Sequence, residues 1–169
     1  MENKQLWAPW RMEFLKSPRD KTTGCVFCLA VQHTRDNDKE KLILFRDKTS
    51  FVILNKYPYS NGHLMVIPNR HTADFLSLNE EENHEMAMLT QHCVRTLGEV
   101  YRAAGFNLGM NLGQAGGAGI KEHLHQHIVP RWPGDTNFMP VIAEIKTMPQ
   151  HLASTYDQLL PHFERLDTI

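Results

Sequence analysis

The chain predicts an α+β fold: a five-stranded antiparallel sheet with one long helix. Short runs rich in Leu, Ile, Val and Phe come first, separated by turn-formers; a single long stretch with apolar residues every three or four positions follows, and then two further extended runs. Strands, then helix, then strands is a segregated order, whereas a parallel α/β sheet alternates its elements. With 169 residues the chain has the length of one domain.

The first three strands are read at 42–45, 51–54 and 63–67, bounded by Arg46-Asp47-Lys48 and by the turn Tyr57-Pro58-Tyr59-Ser60-Asn61-Gly62. Ser77-Leu78-Asn79-Glu80 has the spacing of a helix capping box. Met86, Leu89, Cys93, Leu97, Val100 and Ala104 then form an apolar helical stripe, which makes Cys93 a core residue, and Gly105 is expected to close the helix. Residues 106–112 return to a strand, and a loop containing Gly113, Gly116, Gly117 and Gly119 leads to a last strand over 123–130, which Pro130 and Pro133 are expected to end. A helix is expected over 152–165, and the polar run 34–41 reads as a solvated loop. This divides the chain into an N-terminal arm, 1–23, anchored by Trp7 and Trp10, a domain over 24–142, and a C-terminal tail, 143–169, packing on the domain.

A composition of 41% hydrophobic and 22% charged residues excludes disordered and fibrous classes. Eighteen Lys+Arg against 19 Asp+Glu give a formal net charge of -1, which argues against nucleic acid as a partner, since its backbone calls for a basic face. No run approaches the roughly 18 apolar residues of a membrane span, and 1–10 lacks a signal-peptide core, so no membrane partner and a cytoplasmic location are expected. Cys25, Cys28 and Cys93 form an odd set with one close pair, which reads as metal or redox chemistry rather than a disulfide framework.

Histidine is abundant, at 10 residues, and His123, His125 and His127 alternate with Leu124 and Gln126. On a strand these three share one face. Three imidazoles in a row can hold zinc with an open position, or one can act as a nucleophile while its neighbours fix tautomers and move protons. The preceding loop, 111–119, is rich in small residues whose N–H groups can turn toward an anion, which favours phosphorus chemistry. It is not a Walker A loop, because no Gly-Lys-Ser/Thr follows. His63 reads as a packing or hydrogen-bonding residue, and His33, His84, His92, His151 and His162 as surface residues.

The segment His123-Leu124-His125-Gln126-His127-Ile128-Val129-Pro130-Arg131-Trp132, with Asn55-Lys56-Tyr57-Pro58 and Gly62-His63-Leu64-Met65-Val66-Ile67-Pro68, resembles the histidine triad (HIT) superfamily of nucleotide hydrolases and transferases over about 24–132. Trp7-Ala8-Pro9-Trp10-Arg11 and the segment 130–138 further resemble its diadenosine tetraphosphate phosphorylase branch. The resemblance implies that His125 attacks the α-phosphorus to form a nucleotidyl-histidine, that His127 contacts phosphate and helps protonate the leaving group, and that His123 orients the site. It places Asn55 on the ribose hydroxyls, Ile53 in the base slot, and Asn111, Gln114, Gly119 and Ile120 near the phosphates. Ala118-Gly119-Ile120 departs from the commoner pattern of Gly followed by Gln or Ser, which leaves the proton donor to the leaving group open.

The implied reaction is phosphorolysis of an adenine dinucleoside polyphosphate, with orthophosphate as co-substrate and no cofactor needed for the chemistry. Hydrolysis of such compounds or of adenosine phosphoramidates, and a nucleotide-binding regulator with little turnover, are the alternatives. The resemblance also implies a homodimer with a sheet continuous across it. Zinc-bearing relatives point to Cys25, Cys28, His71 and His123 as a structural S2N2 zinc site, and two reduced cysteines without metal are the other reading.

Overall fold

The computed structural model of the chain describes residues 24–135 and 148–166. The expected arm 1–23, with Trp7 and Trp10, lies outside them, as does 136–147. The elements in order are α1 (Val26–Gln32), a 3-10 turn (Arg35–Asn37), α2 (Asp38–Lys41), β1 (Ile43–Arg46), β2 (Ser50–Leu54), β3 (Leu64–Pro68), a second 3-10 turn (Phe75–Ser77), α3 (Glu80–Tyr101), β4 (Gly105–Met110), β5 (Gln126–Arg131) and α4 (Leu152–Phe163). Five strands form one antiparallel sheet in the order β1-β2-β3-β5-β4, as the sequence predicts. The last strand is therefore an inner one, with His127 opposite Met65 of β3 and Gly109 of β4.

The sheet's period of two sends alternate side chains to two cores. Val52, Leu54, Leu64 and Val66 meet Leu89, Cys93 and Leu97 of α3 and Tyr156, Leu159 and Phe163 of α4. Phe51, Ile53, Met65 and Ile67 face the other way and pack against Phe27 and Ala30 of α1. Both faces of β2 and β3 are covered, which is why these strands read as continuous apolar runs. Tyr156 is buried with its hydroxyl donating to the Ile43 carbonyl at 2.8 Å, so the α4 helix is hydrogen-bonded to the sheet as well as packed on it.

Several local expectations shift. The capping box is Asn79 with Glu82: the Asn79 side chain accepts from the Glu82 N–H at 2.8 Å, and the Glu82 carboxylate accepts from the Asn79 N–H at 3.0 Å. Arg70 clamps the same carboxylate at 2.9 and 2.8 Å and holds it below the usual carboxylate range, which favours this box over the one beginning at Ser77. The helix ends at Tyr101 with Arg102 in a left-handed conformation, φ 51, so Gly105 opens β4 instead of closing α3.

Pro130 lies inside β5, beyond the last β3 partner pair Leu64↔Ile128, where the strand has a single neighbour and a missing N–H is tolerated. Residues 35–41 are helical turns in place of a loop, held by Arg46, which bonds Asp38 at 2.6 Å and reaches the Ala30 and Val31 carbonyls. His92 is half-buried, stacked edge-on against Phe163, and bonded to Thr96 and the His162 carbonyl.

The turn between β2 and β3 depends on Gly62. Its φ of +74° is left-handed, and a Cβ there would meet Leu97 Cδ2 at 2.9 Å and Tyr101 Cε2 at 3.2 Å. Gly62→Ala is expected to destabilise the fold by about 1–3 kcal/mol, read as a lower urea midpoint. An unchanged midpoint would show that the turn is not pressed against α3.

Candidate active site

Each of the three closely spaced histidines spends one ring nitrogen on a fixed partner, and that partner sets what the other nitrogen can do. The β5 ladder begins at Gln126, so only His127 sits on the strand. His123 and His125 precede it in a segment pinned by the Leu124 N–H, which donates to the Thr72 carbonyl at 2.7 Å, and by the Leu124 side chain, which is buried in the main core. The His125 and His127 rings lie 4.9 Å apart, edge to face.

His125 Nδ1 is 2.8 Å from the His123 carbonyl. A carbonyl only accepts, so Nδ1 carries the proton and Nε2 keeps a lone pair. Burial pushes the His125 pKa below the ordinary 6.5, although the bond to the His123 carbonyl works in the opposite direction. The neutral, nucleophilic form is therefore the one present at pH 7.

The opposite tautomer is built into His127. His63, fully buried, receives the Tyr59 N–H at Nδ1 at 3.0 Å, with the Asn55 amide nitrogen also 3.3 Å from that atom. His63 Nδ1 is thus an acceptor, its proton sits on Nε2, and Nε2 donates to His127 Nδ1 at 3.0 Å. A neutral His127 then carries its proton on Nε2. Two neighbouring imidazoles are held in complementary states, a base at His125 and a hydrogen-bond donor at His127. The Tyr59 ring stacks on His63 with centroids 5.1 Å apart.

His125 and His127 line a cavity of about 540 Å³. Its apolar wall includes Phe27, Ile53 and Met65, while Asn55 and Asn111 supply amides. From the glycine-rich loop, Gly119 and Ile120 reach the cavity and Gln114 does not; Gln114 is exposed, and its carbonyl accepts from the Gly117 N–H. The Ala118 N–H is likewise used within the loop, on the Gly113 carbonyl. The expected cradle therefore narrows to the end of the loop at Gly119 and Ile120, because the turns before it use up these amide groups. Asn55 is already bonded at both ends, its oxygen accepting from the Tyr57 N–H at 2.9 Å, with one lone pair and one N–H remaining for a ligand.

His123 does not line this cavity. Its Nε2–H donates to the Pro68 carbonyl at 2.8 Å, which leaves the Nδ1 lone pair 3.3 Å from Cys25 Sγ, 3.6 Å from Cys28 Sγ and 3.3 Å from His71 Nδ1. His71 Nδ1 is 3.3 Å from Cys28 Sγ, and all four ligand atoms lie within 4.8 Å of one another. A tetrahedral zinc site with ordinary Zn–S and Zn–N bonds has edges of about 3.3–3.8 Å, so the cluster fits a metal ion of that kind. Burial, and then the neighbouring Cys25 thiol, push the Cys28 thiol up. A divalent cation between the two sulfurs reverses that preference.

The three histidines do not converge on one point, which removes the three-histidine metal reading; Cys25, Cys28, His71 and His123 form the single such cluster among the described residues. Nothing in the sequence pattern marks Phe27, whose ring contacts both His123 and His125 with centroids 5.5 and 5.3 Å away. It sits inside Cys25-Val26-Phe27-Cys28, so the segment that offers sulfur to a metal also packs against His125. The partner of His63 was equally hidden, since 64 positions separate it from His127.

The HIT domain family model matches residues 36–134. A protein of Mycobacterium tuberculosis named AP-4-A phosphorylase is 38% identical over 165 residues, covering 95% of this chain and 85% of that protein. Among solved structures, a Zn-bound histidine triad family protein from Mycobacterium smegmatis matches with a TM-score of 0.65 and 26% identity, over 84% of this chain and 94% of its own. A hypothetical histidine triad nucleotide-binding protein from Sulfolobus tokodaii matches with a TM-score of 0.65 and 26% identity, over 83% of this chain and 92% of its own. With the sheet order, the spaced histidines and more than half of the sequence in agreement, the chain belongs to the HIT domain family.

Proposed function

We propose that this HIT-family enzyme transfers a nucleotidyl group through His125, and that its reaction is phosphorolysis of diadenosine tetraphosphate to ADP and ATP. The observation that carries the reading is the pair of opposed tautomers in one cavity: a lone pair on His125 Nε2 beside a proton on His127 Nε2. The 38% identity to a protein named AP-4-A phosphorylase supports the choice of substrate.

In the first step His125 Nε2 attacks the α-phosphorus. A P–N bond forms as the P–O bond to the leaving ATP breaks, with His127 Nε2–H donating to the departing oxygen. In the second step a protonated orthophosphate oxygen attacks the same phosphorus, its proton passing to His127 Nε2 as the P–N bond to His125 breaks, and ADP leaves. His127, restored as donor, ends as it began. Splitting the displacement in two lets one neutral imidazole serve as nucleophile and then as leaving group. Asn55 is assigned to the ribose hydroxyls, Ile53 to the base slot, and Asn111, Gly119 and Ile120 to the phosphates, whereas Gln114, outside the cavity wall, drops out of this assignment.

A metal at Cys25, Cys28, His71 and His123 would be coordinated by protein at all four positions, so zinc supplies structural closure there and no step of the transfer passes through it. His123 serves the nucleophile through its carbonyl, and a metal on its Nδ1 would fix the backbone that bears this acceptor. A homodimer is also proposed, joined along the β4 edge, where Asn107, Leu108 and Gly109 are exposed.

Chromatography of diadenosine tetraphosphate incubated with the enzyme tests the reading. Phosphate-dependent ADP and ATP is the expected result; AMP and ATP regardless of phosphate would make it a hydrolase, and no cleavage would overturn the assignment. His125→Ala should lower turnover by more than about 10³-fold while nucleotide affinity changes little, and wild-type-like turnover would end the proposed mechanism. Protein purified without chelator should hold about one zinc per chain, and Cys28→Ser should reduce that content and lower the unfolding temperature. A metal content below about 0.5 per chain in the parent protein would overturn the site.

A further inference from the structure

Beyond the matched family segment, which ends at residue 134, the chain returns to the active site. Leu152, the first residue of α4, lines the same cavity as His125 and His127. Just before it, Gln150 Oε1 collects three donors: the Thr155 hydroxyl at 3.0 Å, the Tyr101 hydroxyl at 3.1 Å and the Asn61 amide at 3.4 Å. The Thr155 hydroxyl is also 3.3 Å from Asn61 Oδ1, and Gln150 Nε2 donates to Gln158 Oε1 at 3.0 Å.

The location of this network gives it a consequence. Thr155 is 1% exposed and Asn61 8%, so their polar atoms depend on one another for partners, and breaking the set leaves a buried amide unsatisfied. Asn61 lies in the turn whose flanking residues build the proton arrangement: the His63 N–H donates to the Ser60 carbonyl at 3.1 Å, and the Tyr59 N–H fixes His63 Nδ1 as an acceptor at 3.0 Å. His63 Nε2 then reaches His127 Nδ1 at 3.0 Å. A continuous set of hydrogen bonds and adjacent residues thus runs from the C-terminal segment to His127.

We propose that Gln150 and Thr155 are positioning residues for proton donation by His127, acting through Asn61 and His63. The C-terminal segment in this view sets how well the enzyme expels leaving groups that need a proton. The inference rests on the reading of His127 as donor in nucleotidyl transfer. It assigns a task in that reaction to a part of the chain outside the HIT domain match.

Two adenylated substrates separate this role from a purely structural one. Adenosine 5′-phosphoramidate expels an amine that must be protonated, whereas the p-nitrophenyl ester of AMP expels a phenolate that need not be. In Thr155→Val and Gln150→Leu the rate of nucleotidyl-enzyme formation from the phosphoramidate should fall about tenfold or more relative to the ester, part of the 10²–10⁴ that general acids contribute. Thr155→Ser, which keeps the hydroxyl, should restore the ratio. In parallel, ¹⁵N chemical shifts of the His127 ring should report a proton on Nε2 in the parent and a mixed tautomer in the two variants. Folded variants with an unchanged substrate ratio and an unchanged His127 tautomer would overturn the inference. Should the parent cleave neither compound, the transfer reading itself fails, and the tautomer measurement still decides whether the C-terminal segment positions His127.

Discussion

An imidazole has two nitrogens, and the fold of this protein uses one from each histidine of the triad so that the other is left in a defined state. His123 donates its Nε2–H to the Pro68 carbonyl and directs Nδ1 at the cysteines; His125 donates its Nδ1–H to the His123 carbonyl and keeps a lone pair on Nε2; His127 accepts a hydrogen bond at Nδ1 from His63 Nε2–H. These bonds require Pro68, the 123–125 backbone and His63 to be held in register. The insertion of β5 between β3 and β4 provides that register. His63, immediately before β3, and Pro68, at its end, flank the strand that β5 joins.

The two cores support the site from opposite sides. The face with α3 and α4 buries Leu124 and Ile128, which alternate with the histidines and anchor the strand. The face with α1 carries Phe27 against His123 and His125, so the short α1 helix joins the sulfur cluster to His125 through packed rings. Two contacts thus link the cluster to His125, the ring of Phe27 and the carbonyl of His123.

The sequence alone carried much of this. Apolar runs at 42–45, 51–54 and 63–67 encode strands because both faces of the inner strands are covered, and this signal is local, whereas the alternation at 123–127 predicts a strand that pairs only from Gln126 onward. The stripe from Met86 to Val100 encodes α3 by its helical period. Boundaries were less legible. Arg70 decides which capping box forms, and Pro130 is tolerated because β3 stops short of it; both are facts about neighbours distant in sequence.

What the sequence determined by itself was the chemical inventory and its spacing: imidazoles in alternation, a close thiol pair, an amide at Asn55, and strands enough for one sheet. Only the tertiary structure decided which nitrogen of each imidazole is engaged, which residues share the cavity, and that Gln114 stays outside it while Leu152 enters. A ring nitrogen takes its state from the partner it meets, and the partners here lie between 2 and 98 positions away along the chain. Periodicity reports the direction of a side chain, but the proton on it is set by contacts that exist only once the strands have paired.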